Sequence, residues 1–113
     1  MKYWKIVFRP LPATAMAIYP FILFKSRNQI DNPLLINHEM IHFRQQLELL
    51  ILPFYLLYLI FYLINLAKSG NHDQAYRQSC FEQEAYANEQ NFNYLKVRKS
   101  YAWLKFLFNS RHQ

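Results

Sequence analysis

The chain is poor in three residue classes that commonly build function into a protein of this size. It has one glycine, Gly70, so a glycine-rich loop cradling phosphate has nothing to be made from. It has one cysteine, Cys80, which excludes an internal disulfide and any cysteine-rich zinc knuckle and reads as a buried structural thiol in a reducing compartment. Acidic residues are also scarce, seven against thirteen lysines and arginines, giving a formal net charge of +6. That imbalance points to an anionic neighbour. What is abundant is apolar: 53% hydrophobic and 19% aromatic residues rule out disorder and indicate a tightly packed, helix-rich chain. Over residues 1–113 there is length for one unit with a modest core, and no internal repeat.

The expected fold is α+β and mostly α, a small N-terminal sheet or hairpin followed by three to four packed helices. ATAMAIYPFILF, Ala13 to Phe24, mixes β-branched and aromatic residues and reads as a strand, with Pro20 favouring a sheet edge or a bulge. Lys2 to Phe8 is the candidate partner strand. At Asp31 to Pro33, Asn32 can cap a helix whose first residue is Pro33, where a missing N–H costs nothing. Pro53 should interrupt or kink that helix. A second apolar helix is expected from about Phe54 to Ala67, a turn at Lys68 to Gln74, a third helix from Ala75 to Val97, and a short fourth over SYAWLKFLF.

The first helix contains LLINHEMIHFRQQ, Leu34 to Gln46. His38 and His42 stand at i and i+4, so their imidazoles project from one helical face and can close on a single ion. Zinc suits neutral imidazoles and keeps a coordination position for water. Glu39 lies on an adjacent part of the same helix, where it reaches that water without competing as a ligand, and this makes it the general base. Chance alone places the pattern in about one shuffled chain in two hundred, so a third ligand decides the matter. FEQEAYANE, Phe81 to Glu89, offers Glu82, Glu84 and Glu89 on a helix able to pack beside the first.

With these pieces the sequence resembles the gluzincin metallopeptidases, in which HExxH on one helix is completed by a glutamate from a following helix. It looks most like the CAAX-protease-like branch and the small single-domain minigluzincins. The resemblance covers roughly residues 34 to 90 and implies Glu82 as the ligand, with Ala85 at the small position that follows it. Tyr86 stands where that branch has an aspartate, so the resemblance leaves open which carboxylate orients a ligating histidine. Glu84 is the rival ligand, about 200° around the helix from Glu82, so the two cannot both face one ion. Glu82 shares its stripe with Ser79, Ala85, Tyr86 and Glu89, which leaves small side chains beside it where another helix can approach, and Glu89 reads as a solvated surface charge. The resemblance further implies a peptide or protein substrate lying extended along an edge strand above the motif helix, with ATAMAIYPFILF as the candidate edge. Tyr76, Tyr86 and His72 are the candidates for stabilising an oxyanion.

LLILPFYLLYLIFYLINLA, Leu49 to Ala67, has the length of a membrane span and no charge. A single crossing would put His42 and Glu82 on opposite sides of a bilayer, so a shared ion demands a buried core helix or one lying in the interface. Tyr55, Tyr58 and Tyr62 give this run a polar-tipped stripe suited to the neighbourhood of water. A straight helix from His42 to Leu66 would end about 36 Å away, which residues 67–82 recover only by pointing straight back. A break near Pro53, with the second helix packed on the first, is therefore expected.

Two other readings compete. A non-enzymatic membrane-associated protein would use the apolar run 49–67 and the basic ends, Lys2, Lys5, Arg9, Lys25 and Arg27, then Lys96, Arg98, Lys99, Lys105 and Arg111, to sit on an anionic membrane surface. Nucleic-acid binding rests on net charge alone, shows no recognisable module and is not expected. Arg9, Pro10 and Pro12 interrupt any apolar signal-peptide run, so the N-terminus reads as retained and the location as cytoplasmic or membrane-associated.

Overall fold

The computed structural model describes residues 3–107, an α+β fold with a three-stranded N-terminal sheet followed by helices. Lys2, Phe108 and Arg111, named above among the basic ends and the fourth helix, lie outside the described residues. The strands are β1 (Trp4–Val7), β2 (Ala15–Ile18) and β3 (Phe21–Phe24), in the order β1-β3-β2. β1 runs parallel to β3, and β2 antiparallel to it, with Ala17 opposite Ile22. The single strand expected over Ala13–Phe24 is thus a tight hairpin, folded at Tyr19 and a cis Pro20. Proline donates no ladder hydrogen bond, and here it sits in the turn. Only the β2 half of the expected edge is an edge, since β3 is central.

The helices are α1 (Pro33–Leu49), α2 (Ile51–Ser69), α3 (His72–Arg77), α4 (Cys80–Asn88) and α5 (Tyr94–Val97), followed by a 3₁₀ turn at Ala102–Phe106. Asn32 caps α1 as its sequence indicates, accepting from the amides of Leu34 and Leu35 at 3.1 and 3.3 Å. The break expected near Pro53 falls three residues earlier, at Leu50, whose φ of 64° and ψ of 156° lie outside any helix. Pro53 then occupies the third position of α2, within the first turn, where helical amides have no partner to lose. The helix expected over 75–97 is interrupted because Ser79 starts a new one, its hydroxyl accepting from the Phe81 amide at 3.3 Å.

α1 lies between the other layers. Phe43 packs with Ala15, Ala17, Ile22 and Phe24 under the sheet, while Ile41 packs with Ala85 and Tyr94. A third cluster joins Phe54 of α2 to Cys80, Phe81 and Trp103. Cys80 is the buried thiol expected, and burial pushes its pKa up to about 12. α2 is not the buried core helix that was one expectation for this run. It is long and apolar enough to cross a membrane, yet Phe54 is its only buried residue.

Below the metal-ligand candidates, Glu84 is wholly buried and fully partnered. It accepts from Tyr94 at 2.6 Å, from Gln45 at 2.9 Å and from the Arg98 guanidinium, which also forks onto Glu48 at 2.7 and 3.1 Å. Removing one partner of such a pair strands a charge in the interior. Arg98→Ala should therefore lower the unfolding free energy by about 3–5 kcal/mol in urea titrations followed by circular dichroism. A loss under about 1 kcal/mol would mean that Glu84 is solvated in solution.

Candidate metal centre

α1 turns both histidines inward, and α4 brings Glu82 against them. The Nε2 of His38 stands 2.9 Å from Oε1 of Glu82, and the Nε2 of His42 stands 3.2 Å from Oε2. All three side chains are buried, and their ligand atoms lie within 4.8 Å of one another. The other ring nitrogen of each histidine is already committed. His38 Nδ1–H donates to Glu89 Oε1 at 2.7 Å, and His42 Nδ1–H donates to Gln45 Oε1 at 2.7 Å. The Gln45 amide is oriented in turn, since its NH₂ donates to the Phe81 carbonyl at 3.0 Å and to Glu84 at 2.9 Å. These contacts tie each ring from behind and leave both Nε2 atoms facing the Glu82 carboxylate.

His38 Nε2 lies within hydrogen-bond distance of Glu82 Oε1 at 2.9 Å, a contact with an acceptor-only carboxylate that needs a proton or another cation between the two atoms. Tyr58, whose O–H donates to Glu82 Oε2 at 2.5 Å, satisfies only one lone pair of the carboxylate. His42 Nε2 is the one buried side-chain polar atom among the described residues without a hydrogen-bond partner, since its 3.2 Å approach to Glu82 lacks hydrogen-bond geometry. A buried orphan beside a carboxylate is costly unless a cation lies between them. The protonation behaviour says the same. Burial alone would lower the pKa of His42, but the charge of Glu82 and the hydrogen bonds around the ring raise it to about 9. Burial alone would raise Glu82, but His42 and His38 hold it well below the usual carboxylate range. The pocket therefore draws in positive charge, as a proton when nothing else is there. His38, His42 and Glu82 can hold a metal ion, and two imidazole nitrogens with one carboxylate oxygen are a donor set that divalent transition metals accept.

Glu39, next to His38, is buried but lines two clefts. Desolvation raises its pKa against the pull of His42 and His38 and of the Ala17 backbone hydrogen bond, which makes the carboxylate more basic than an exposed one. One cleft, of about 500 Å³, is polar and includes Asp73, Arg77 and Glu89. The other, of about 440 Å³, is lined mostly by apolar and aromatic side chains, among them Met16, Phe54, Tyr55 and Leu59. Both run beneath the start of β2, with Ala13 just before the strand and Ala15 within it lining each. Thr14 faces β3, its carbonyl accepting from Lys25 at 2.9 Å, so alternation turns the backbone groups of Ala15 and Ala17 to the open edge. Gln46 and Tyr55 occupy the Ala17 carbonyl.

Of the three oxyanion candidates, Tyr76 and His72 line both clefts. The Tyr86 ring stands 4.5 Å from that of His38, and its hydroxyl donates to Tyr76 at 3.4 Å. His72 is hydrogen-bonded to Tyr62 at 2.6 Å. Glu84, the rival ligand, is turned away into the Arg98 network. Glu89 is not the solvated surface charge expected from its sequence position, because one helical turn beyond Ala85 it reaches back to His38. It supplies the carboxylate that Tyr86 does not. Gln45 and Gln46 carry no motif of their own in the sequence; for Tyr58 the tyrosine stripe at 55, 58 and 62 is the signal, and it lines the apolar cleft.

Ligating histidines depend on the group behind them, so Glu89→Ala should weaken metal binding by about 10- to 100-fold, read by competition with a chromogenic chelator. Unchanged affinity would return Glu89 to the surface. Comparison with known proteins adds nothing to the geometry: no family model, no curated protein and no solved structure matches the chain.

Proposed function

We propose that the chain is a small zinc-dependent peptidase of gluzincin type, with His38, His42 and Glu82 as ligands and Glu39 as general base. The observation that carries the reading is the convergence of two histidine Nε2 atoms and a carboxylate beside a basic, cleft-lining Glu39. His38, His42 and Glu82 would hold the zinc, which would supply an acidified water and the polarisation of a carbonyl. The residues of the chain account for the rest. Glu39 takes the proton of the attacking water, a task its raised basicity suits, and delivers it to the leaving amine. The open edge of β2 at Ala15 holds an extended peptide by backbone hydrogen bonds across both clefts. Tyr58 stays protonated, because burial and the charge of Glu82 push its pKa up, so it donates to Glu82 and fixes that carboxylate.

Tyr76 is the best placed donor for the developing oxyanion. Its hydroxyl accepts a long bond from Tyr86, which leaves its own proton for another acceptor, and burial together with Glu82 keeps that proton on. Such a donor contributes to the transition state more than to substrate binding.

Two substitutions test the reading. Glu39→Gln should retain stoichiometric zinc by elemental analysis while hydrolysis of a fluorogenic peptide library falls to background, and full activity would remove Glu39 from the mechanism. Tyr76→Phe should lower kcat by about 10²-fold with KM little changed; an effect on KM alone would make it a binding residue.

A further inference from the structure

α2 presents an apolar face to solvent along most of its length. Its inward side carries Phe54, Tyr55, Tyr58 and Phe61 against the core cluster. Its outward side carries Leu52, Leu56, Leu59, Ile60, Leu63 and Ile64 at helical spacing, with Leu52 82% and Leu56 60% exposed. This stripe is about 18 Å long and contains no polar side chain. Water does not hold such a surface open without a partner.

The helix is long enough to span a bilayer, but its connections forbid that. α1 before it and α4 after it both contribute to one cluster, so the two ends of α2 belong to the same side. Its inward face is also occupied by protein. What remains is a helix lying in the plane of an interface, with its outer face in the acyl region.

Charge identifies the interface. Each of the seven carboxylates is either buried or ion-paired: Glu39, Glu82 and Glu84 are inside, Glu48 holds Arg98, Glu89 holds His38, Asp31 holds Lys5 and Asp73 holds Arg77. Arg9, Lys25, Arg27, Lys68, Lys96 and Lys99 are exposed with no carboxylate partner among the described residues. Lys68 continues the stripe one turn beyond Ile64, where a lysine stem can lie along the apolar surface with its ammonium among headgroups. A second copy carries the same net charge of +6 and would set Lys68 against itself, whereas anionic lipid complements both.

We infer that this protein docks on an anionic lipid surface through the outer face of α2, without crossing it. Leu59 belongs to the docked face and to the wall of the apolar cleft, so that cleft opens beside the membrane surface. The inference does not depend on hydrolysis, and its test has no activity readout.

The test is flotation of the purified chain with vesicles of phosphatidylcholine alone and of phosphatidylcholine mixed with phosphatidylglycerol. Binding to the mixed vesicles is expected, weakening as salt is raised, and falling about tenfold or more in Leu56→Glu/Leu63→Glu. Circular dichroism and zinc content of that variant, unchanged from the parent, show that it folds. Should it not fold, an environment-sensitive dye on Leu56→Cys must shift to the blue with mixed vesicles, while the same dye on Lys96→Cys shifts less. Absence of vesicle binding, or a dye at position 56 indifferent to lipid, overturns the inference. So does a stable dimer in ultracentrifugation that Leu56→Glu/Leu63→Glu dissociates, with no affinity for lipid.

Discussion

The helix α1 turns a row of polar side chains into the interior, and each of them has to be answered by a different part of the chain. Buried amides and imidazoles without partners would cost more than the apolar contacts around them return. Asn37 donates to the carbonyls that end α4, at 2.7 Å to Glu89 and 3.2 Å to Asn91. Gln45 ties His42 to α4. Gln46 donates to the Ala17 carbonyl at 2.8 Å and accepts from the Tyr19 amide at 2.7 Å, which fixes the β2–β3 hairpin over the helix. Sheet, α2 and α4 are positioned by this one face, and the metal-ligand cluster is its most concentrated part.

That dependence gives the second layer of the site its character. Glu84 and Arg98 form an ion pair outside the His38, His42 and Glu82 cluster, yet Glu84 orients Gln45, and Gln45 orients His42. The ordering effect passes from a buried charge pair through an amide to an imidazole, so the geometry at His42 rests on how well Arg98 is held from the C-terminal segment. A network of this kind rigidifies only when every member is satisfied. Among the described residues the single buried side-chain orphan is His42 Nε2, a nitrogen of the cluster itself.

Much of this could be read from local chemistry. Asn32 followed by Pro33 gives the start of α1, the i and i+4 histidines give a shared face, and Pro53 forces the chain to leave that helix before reaching it. Glu82 over Glu84 followed from helical angle and small neighbours, and the two carboxylates do point to different partners. What stayed hidden depends on how helices cross. Glu89 becomes a partner of His38 only once α4 lies at a particular angle on α1, and no pattern along the chain encodes that angle. Ser79 with Glu82 three residues later is a helix-start signal masked by the longer periodic stretch around it. The parallel pairing of β1 with β3 and the exposure of α2 are likewise consequences of packing, since periodicity does not distinguish a helix buried in protein from one facing lipid.

His42 and Glu82 lie forty positions apart in sequence, and the whole of α2 lies between them. An ion held by both closes that segment into a loop, acting on the unfolded chain as a reversible crosslink does. Chelation would then do more than empty a pocket. It would release a ring built around the apolar α2, so a metal held here would have a second role as the clasp that keeps α2 folded back beside the helix it follows.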